Sequence, residues 1–388
     1  MSADLSRLRK FVAPEFVFGP GSSTLAGQYA ANLGVRKVLL VSDASLMGQA
    51  WPGRVMQSLE DAGIGYEVYT DTTPNPRDHE AMAGARLFEE KKCDAIVAVG
   101  GGSPMDCAKA IGIVVTNGQH VLSFEGADNV PNPGPPLICI PTTSGSAADI
   151  SQFCIITDTK RQVKIAIVSK AMVPDVALID PETTTSMPPD LTAHTGLDAL
   201  THAIEAYVSN ANSPVTDLHA LEAIRLVRKH LPTAIREPQN IDARTGMSLA
   251  STFAGLAFSN AILGAVHAMA HSLGGRLDLP HGQCNALLLD FVMDYNFDAA
   301  QDRYCEIGRA LDAKLNDEMS YDEKKQAVLQ AVRALKKETG VTGSLADLGV
   351  TADELKQLAS HALNDPCMLT NPKSPSREEI EAIYAKAR

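Results

Sequence analysis

The chain has no CxxC pair, and its seven cysteines, Cys93, Cys107, Cys139, Cys154, Cys284, Cys305 and Cys367, are odd in number and scattered. That spacing excludes a disulfide framework and predicts free thiols in a reducing compartment. Positive charge is in deficit as well, since 34 Lys and Arg face 46 Asp and Glu and leave a net charge of −12. A surface of that sign repels phosphate backbones and anionic lipid, so neither nucleic acid nor a membrane is an expected partner. No apolar run follows the polar opening Met1–Lys10, so no secretory leader is read there and a soluble cytoplasmic protein is expected. No internal repeat or low-complexity tract is present. At 388 residues the chain exceeds what one hydrophobic core usually organises, and two domains are predicted.

The first half alternates strand and helix patterns. Lys37–Asp43 (KVLLVSD) is a continuous apolar run ending in a carboxylate, typical of a strand buried on both faces of a parallel sheet. A helix over 51–62, a strand near Tyr66–Tyr69 and a helix over 79–91 continue the alternation, which predicts a doubly wound, Rossmann-like α/β domain. Neither GxGxxG nor a Walker A loop occurs. In their place the strand at 94–99 runs into Gly100-Gly101-Gly102-Ser103-Pro104, and a helix follows over 105–115. Glycines between a strand and a helix N-terminus let backbone N–H groups approach a phosphate, although a tight packing turn has the same composition. The next apolar strand, Leu137–Ile140, opens into Pro141-Thr142-Thr143-Ser144-Gly145-Ser146. Two such loops at one sheet edge define a ligand crevice. Short strands follow at 154–158 and 176–180, joined by a segment that carries Lys160, Arg161 and Lys164.

Met187-Pro188-Pro189-Asp190 breaks the pattern, and no strand signal follows it. The expected division is a dinucleotide-binding domain over 1–187 and an all-α domain over 188–388. Helices are predicted over 192–209, 213–230, 241–258, 261–275, 284–294, 298–311 and 321–339, then one opened by the capping box Thr351–Glu354 and one by Ser376–Glu379. The most apolar stretch, Leu249–Leu273, is long enough to cross a bilayer, but its Ser, Gly, Asn and His content reads as a buried helix packed by small residues.

Thr195–Ala206 (TGLDALTHAIEA) places Asp198 and His202 four residues apart, on one face of a helix. Gly264–Gly275 repeats the device with His267 and His271, and His281 follows behind a turn. A lone pair of this kind is usually structural. Two pairs, the second in an almost uncharged run, imply a binder, because buried imidazoles cost free energy without a partner. A carboxylate and imidazoles without thiolate suit Fe(II), Zn(II), Mn(II) or Co(II). Glu205 reads as part of a solvated helix face.

The motifs GGGSPMD (100–106), PTTSG (141–145), TGLDALTHAIEA (195–206), HAMAH (267–271) and LPHG (279–282), in that order and spacing, resemble those of the iron-containing (group III) alcohol dehydrogenases. The resemblance spans nearly the whole chain. It implies metal ligation by Asp198, His202, His267 and His281, with His271 off the metal and near the nicotinamide. It also implies NAD contacts from Asp43, Asn75, Gly100, Gly101, Gly102, Ser103, Asp106, Thr142, Thr143 and Lys164, and a substrate pocket along Phe153 and Phe258. Where many relatives carry an aromatic, this chain has Arg276; it either faces solvent or Asp278, or reaches the pocket and binds a substrate carboxylate. The expected enzyme transfers a hydride between NAD(H) and a small primary alcohol or its aldehyde, uses Fe(2+) or Zn(2+), and assembles as a homodimer or higher homo-oligomer. Three alternatives stand beside it: a hydroxy-acid or semialdehyde dehydrogenase, an NAD- and metal-dependent lyase of the dehydroquinate synthase type, which would need a Lys- and Arg-rich pocket, and a non-catalytic cofactor-bound sensor.

Overall fold

The computed structural model describes residues 10–388. They divide into two compact units, Val12–Met187 and Pro188–Arg388, the second together with Lys10 and Phe11.

The first unit is built on a six-stranded, all-parallel sheet. In chain order its strands are β1 (Glu15–Phe18), β2 (Lys37–Val41), β3 (Gly65–Tyr69), β4 (Ala95–Gly100), β6 (Leu137–Pro141) and β9 (Val176–Ile179); β5 (Gly126–Ala127), β7 (Phe153–Asp158) and β8 (Val163–Val168) form a separate three-stranded sheet. Alternate residues of β2 and β4 feed two cores. Leu39, Val41, Ile96 and Ala98 pack with residues of α3 (Asp78–Glu90) and α4 (Gly102–Asn117). Val38, Leu40, Val97 and Val99 pack with α1 (Ala26–Asn32) and α2 (Ala50–Asp61). Covering both faces is what makes the strands read as unbroken apolar runs.

The large sheet has the order β1-β9-β6-β4-β2-β3. From β2 the chain steps outward to β3, then returns to the other side of β2 for β4 and continues outward. The strand order therefore reverses between β2 and β4, the place where open α/β sheets bind ligands. Three readings are corrected here. Glu15–Phe18 is a strand, too short for its pattern to be read from the sequence. The segment joining the strands near 154 and 176 is itself strand β8, antiparallel to β7. And α4 begins at Gly102, three residues earlier than the sequence suggests, because glycines mask a helix start.

The second unit is helical: α5 (Pro189–Val208), α6 (Pro214–Arg236), α7 (Ile241–Ala261), α8 (Ala265–Leu277), α9 (His281–Asn296), α10 (Gln301–Ala310), α11 (Tyr321–Glu338), α12 (Leu355–Leu363) and α13 (Arg377–Ala387). The predicted end of α6 at 230 is wrong. Pro232 lies inside the helix, and although its missing N–H costs a hydrogen bond, Leu231, Pro232 and Ala234 are buried and hold the helix through that turn. The apolar stretch around Leu249–Leu273 is two helices bent by 100°, and no single helix among the described residues is long and apolar enough to cross a membrane. The corner lies at Ile262, a β-branched residue at φ 62°, which is a strained conformation held by its surroundings.

Candidate functional site

Three helices bring the expected donors together. Asp198 and His202 project from α5, His267 from the first turn of α8, and His281 from the first position of α9. Asp198 Oδ1 lies 3.6 Å from His267 Nε2, 3.7 Å from His281 Nε2 and 4.0 Å from His202 Nε2. Donors bound to one tetrahedral ion at about 2.1 Å stand roughly 3.4 Å apart, so Asp198, His267 and His281, whose donor atoms all lie within 4.8 Å of one another, fit a metal after a small closure. His202 is the outermost of the four. Its ring is sandwiched between Phe258, 4.2 Å away, and His267, 4.5 Å away. Burial works against the Asp198 carboxylate, but charge on His202 and His281 and the hydrogen bond and charge of His267 hold its pKa well below the usual carboxylate range. Burial likewise opposes charge on His267, yet the carboxylates of Asp198 and Glu205 beside it win and lift its pKa to about 9. Both shifts mark a buried cluster that attracts positive charge.

Glu205, read in the sequence as solvated, is 4% exposed and organises this cluster. Its carboxylate accepts from the backbone N–H of Gly264 at 3.1 Å and of Val266 at 2.7 Å, so α5 supplies the N-terminal cap of α8. It also lies 2.6 Å from His267 Nδ1, which fixes a proton there and turns Nε2 into the cluster beside Asp198. Asn371 Oδ1 accepts from Ala265 N and completes the cap. A Cβ at Gly264 would stand 2.9 Å from both Glu205 Oε1 and Asn371 Oδ1, so only glycine admits the two acceptors. The sequence did hold the clue: Asp198, His202 and Glu205 recur at i, i+4 and i+7, one helix face.

His271 stands apart from the donor set. Its Nδ1 lies 2.8 Å from Asp365 Oδ2, and its ring stacks on His281 at 5.2 Å. His271, Asp365 and Cys367 form a second group of close polar atoms. Burial alone would raise the Asp365 pKa, but the charge and hydrogen bond of His271 hold it down. Asp365-Pro366 looks in the sequence like a local cap, which it also is, accepting from Cys367 N at 2.8 Å, so nothing there advertised the contact with His271. Arg276 takes a partner that neither sequence reading named: its Nε lies 3.3 Å from Glu354 Oε1, a carboxylate that also accepts from Thr351.

In the first unit, Asp43 lies two residues beyond β2 and the Gly100–Ser103 segment follows from the end of β4, on either side of the point where strand order reverses. Asp43 Oδ1 accepts from Ser45 N, Ser45 Oγ and Leu46 N, which locks the carboxylate at the strand end. The glycines of the first loop let it meet the second: a Cβ on Gly101 would stand 3.2 Å from Thr143 Cγ2, and one on Gly102 3.0 Å from Ser146 Cβ. Thr142 is buried with its N–H on Gly100 O, whereas Thr143 and Ser103 are half-buried and accessible. Lys164 on β8 donates to Asn75 Oδ1 at 2.6 Å, so these two expected contacts are already bonded to each other. Burial lifts the Asp106 pKa to about 6 against the pull of Lys109, the Ile155 N–H and Lys164. Phe153 is buried at the start of β7, its carbonyl accepting from the Lys109 ammonium at 2.7 Å. All seven cysteines are free and buried.

A doubly wound parallel sheet with paired loops at its switch point, and a helical unit with a buried carboxylate–imidazole cluster, are the parts of an oxidoreductase of the alcohol dehydrogenase class. The chain belongs to the iron-containing alcohol dehydrogenase family: residues 13–181 match the family described as "Iron-containing alcohol dehydrogenase", and residues 192–388 match "Fe-containing alcohol dehydrogenase family, C-terminal". It is 39% identical over 372 residues to the 1,3-propanediol dehydrogenase of Citrobacter freundii, covering 95% of this chain and 96% of that one. It is 34% identical over 377 residues to the NAD-dependent methanol dehydrogenase of Bacillus methanolicus, covering 97% and 99%. The crystal structure of a 1,3-propanediol oxidoreductase superposes with a TM-score of 0.95 at 38% identity, over 98% of this chain and all of that one. These relatives are alcohol and aldehyde oxidoreductases, which sets the lyase and sensor readings aside.

Proposed function

We propose that the chain interconverts short unbranched primary alcohols and their aldehydes with NAD(H), using a divalent metal, Fe(2+) before Zn(2+), held by Asp198, His202, His267 and His281. The convergence of Asp198, His267 and His281 from three helices at 3.6 to 3.7 Å carries this reading. A metal there supplies a Lewis acid that polarises the alcohol or carbonyl oxygen, while NAD supplies the hydride acceptor. Asp198 offsets the metal's charge, and Glu205 aims the His267 lone pair. His271, its Nδ1 proton engaged by Asp365, is left with Nε2 to take up and pass on a proton. Gly100 to Ser103, with Thr142 and Thr143, would receive the pyrophosphate, and Asn75, Asp106 and Lys164 would border the cofactor. Phe258, stacked on the His202 ring, would give the substrate site an apolar wall suited to short chains. Seven buried free thiols support a cytoplasmic location, and we place the enzyme there as a homo-oligomer. The test is to strip the metal, restore Fe(II) or Zn(II) separately, and follow NADH formation over C1–C4 alcohols, diols and hydroxy acids. No recovery with either metal would remove the proposal.

Two further expectations arise here. Asp43, its carboxylate locked just past β2, would accept from a ribose 2′-hydroxyl and repel a 2′-phosphate. Asp43→Gly should raise kcat/KM for NADP relative to NAD by about tenfold or more; equal use of both by the wild type would end this role. The contact of Arg276 Nε with Glu354 supports the reading that leaves it off a substrate carboxylate. In Arg276→Phe the ratio of kcat/KM for 4-hydroxybutyrate to that for 1-butanol should stay within about threefold of wild type, the effect of losing a partly exposed ion pair. A collapse of that ratio would restore the hydroxy-acid reading.

A further inference from the structure

Asn285 lies on α9, one turn beyond His281, and is fully buried. Its amide nitrogen is 2.7 Å from Asp198 Oδ1, 3.1 Å from His267 Nε2 and 3.2 Å from His281 Nε2. These are three of the atoms that the proposed function gives to the metal, and one nitrogen reaches all of them. An ion about 2.1 Å from the same atoms needs the lone pairs that the amide hydrogens now meet. A lone pair cannot serve both, and the positive end of the N–H dipole is repelled by a cation.

We propose that Asn285 is a placeholder for the metal. Its amide keeps the carboxylate and the imidazoles aimed at a common point, and it gives way when a cation takes them. Two observations separate this from an ordinary core asparagine. The amide offers two hydrogens to three acceptors, all of them candidate ligands. Its carbonyl Oδ1, although buried, has no hydrogen-bond partner, whereas a structural asparagine is expected to satisfy both ends. The side chain is thus hydrogen-bonded through its nitrogen alone, and no hydrogen bond at the carbonyl end has to break for it to turn. Cation and amide compete for one set of lone pairs, so loading carries the work of displacing Asn285.

The inference rests on the metal reading, and Zn(II) binding without NAD or alcohol tests it. Wild type, Asn285→Ala and Asn285→Ser are stripped of metal. Thermal unfolding is then recorded with and without Zn(II), and affinity is measured by competition with a chromophoric chelator. Metal-free Asn285→Ala should melt below metal-free wild type, the two loaded proteins should melt together, and Zn(II) should bind the variant about tenfold more tightly. Asn285→Ser should fall between and serves if the alanine variant does not fold. Weaker Zn(II) binding by the variants would make the amide oxygen a ligand and overturn the proposal. So would an equal loss of melting temperature with and without metal, which would make Asn285 plain structure. Failure of wild type to take up Zn(II) would remove the metal reading itself, whereas normal uptake with unchanged variants would remove only the placeholder.

Discussion

His267→Ala is expected to leave a folded chain that does not retain a divalent metal, with alcohol-dependent NADH formation down by about 10³-fold or more, the scale of losing Lewis-acid charge stabilisation. His267 stands at the middle of the cluster. It lies 3.6 Å from Asp198 and 4.5 Å from the His202 ring, and its far nitrogen is engaged by the buried Glu205 carboxylate. Removing it takes one donor directly and leaves Glu205 without its imidazole partner. Metal content per chain by elemental analysis, beside the rate, is the measurement. Full activity, in the variant or in exhaustively chelated wild type, would end the assignment. His271→Ala is the matching control: the metal should stay, while the rate falls, because this residue is bonded to Asp365 and lies outside the donor triangle.

Glu205→Gln should weaken metal binding by about 10- to 100-fold, the usual effect of breaking the partner of a liganding histidine, and should lower stability by about 1–3 kcal/mol through a buried donor left unmatched. The carboxylate accepts from three donors, Gly264 N, Val266 N and His267 Nδ1. A glutamine offers one oxygen and turns an N–H₂ group toward at least one of them. The two effects are read separately, metal affinity by chelator competition and stability by thermal unfolding of the metal-free chain. Unchanged affinity would show that His267 keeps its orientation without Glu205 and would reduce the carboxylate to a helix cap.

Which parts of this arrangement could be read from the sequence follows from the range of the interactions. Periodicity reports local structure and burial, so the double winding, the helical second half and the paired histidines were visible in strings such as KVLLV and HAMAH. Contacts between elements leave no periodic trace. Glu205 was misread because a glutamate in a helix is usually solvated, and its partners Gly264, Val266 and His267 are about 60 residues away. Asp365 and Asn285 escaped for the same reason, since each is an unremarkable residue until the fold brings it against an imidazole. Pro232 shows the converse: a strong local stop that tertiary burial overrides.

The register of β1 has a bearing on how the chain is made. Glu15 pairs with Val176 and Phe18 with Ile179, and the sheet gives β1 no other neighbour. At a synthesis rate of about 5–20 residues per second, this strand waits roughly 10–30 s before its partner leaves the ribosome. During that interval β2, β3 and β4 already have one another, whereas β1 offers an unpaired edge that other nascent chains could add to. At four residues it is short, and the exposed charge of Glu15 sits at its start, which limits that risk. The last step in completing the sheet is therefore a join between its two most distant segments, and it is this step that a co-translational chaperone would be in a position to guard.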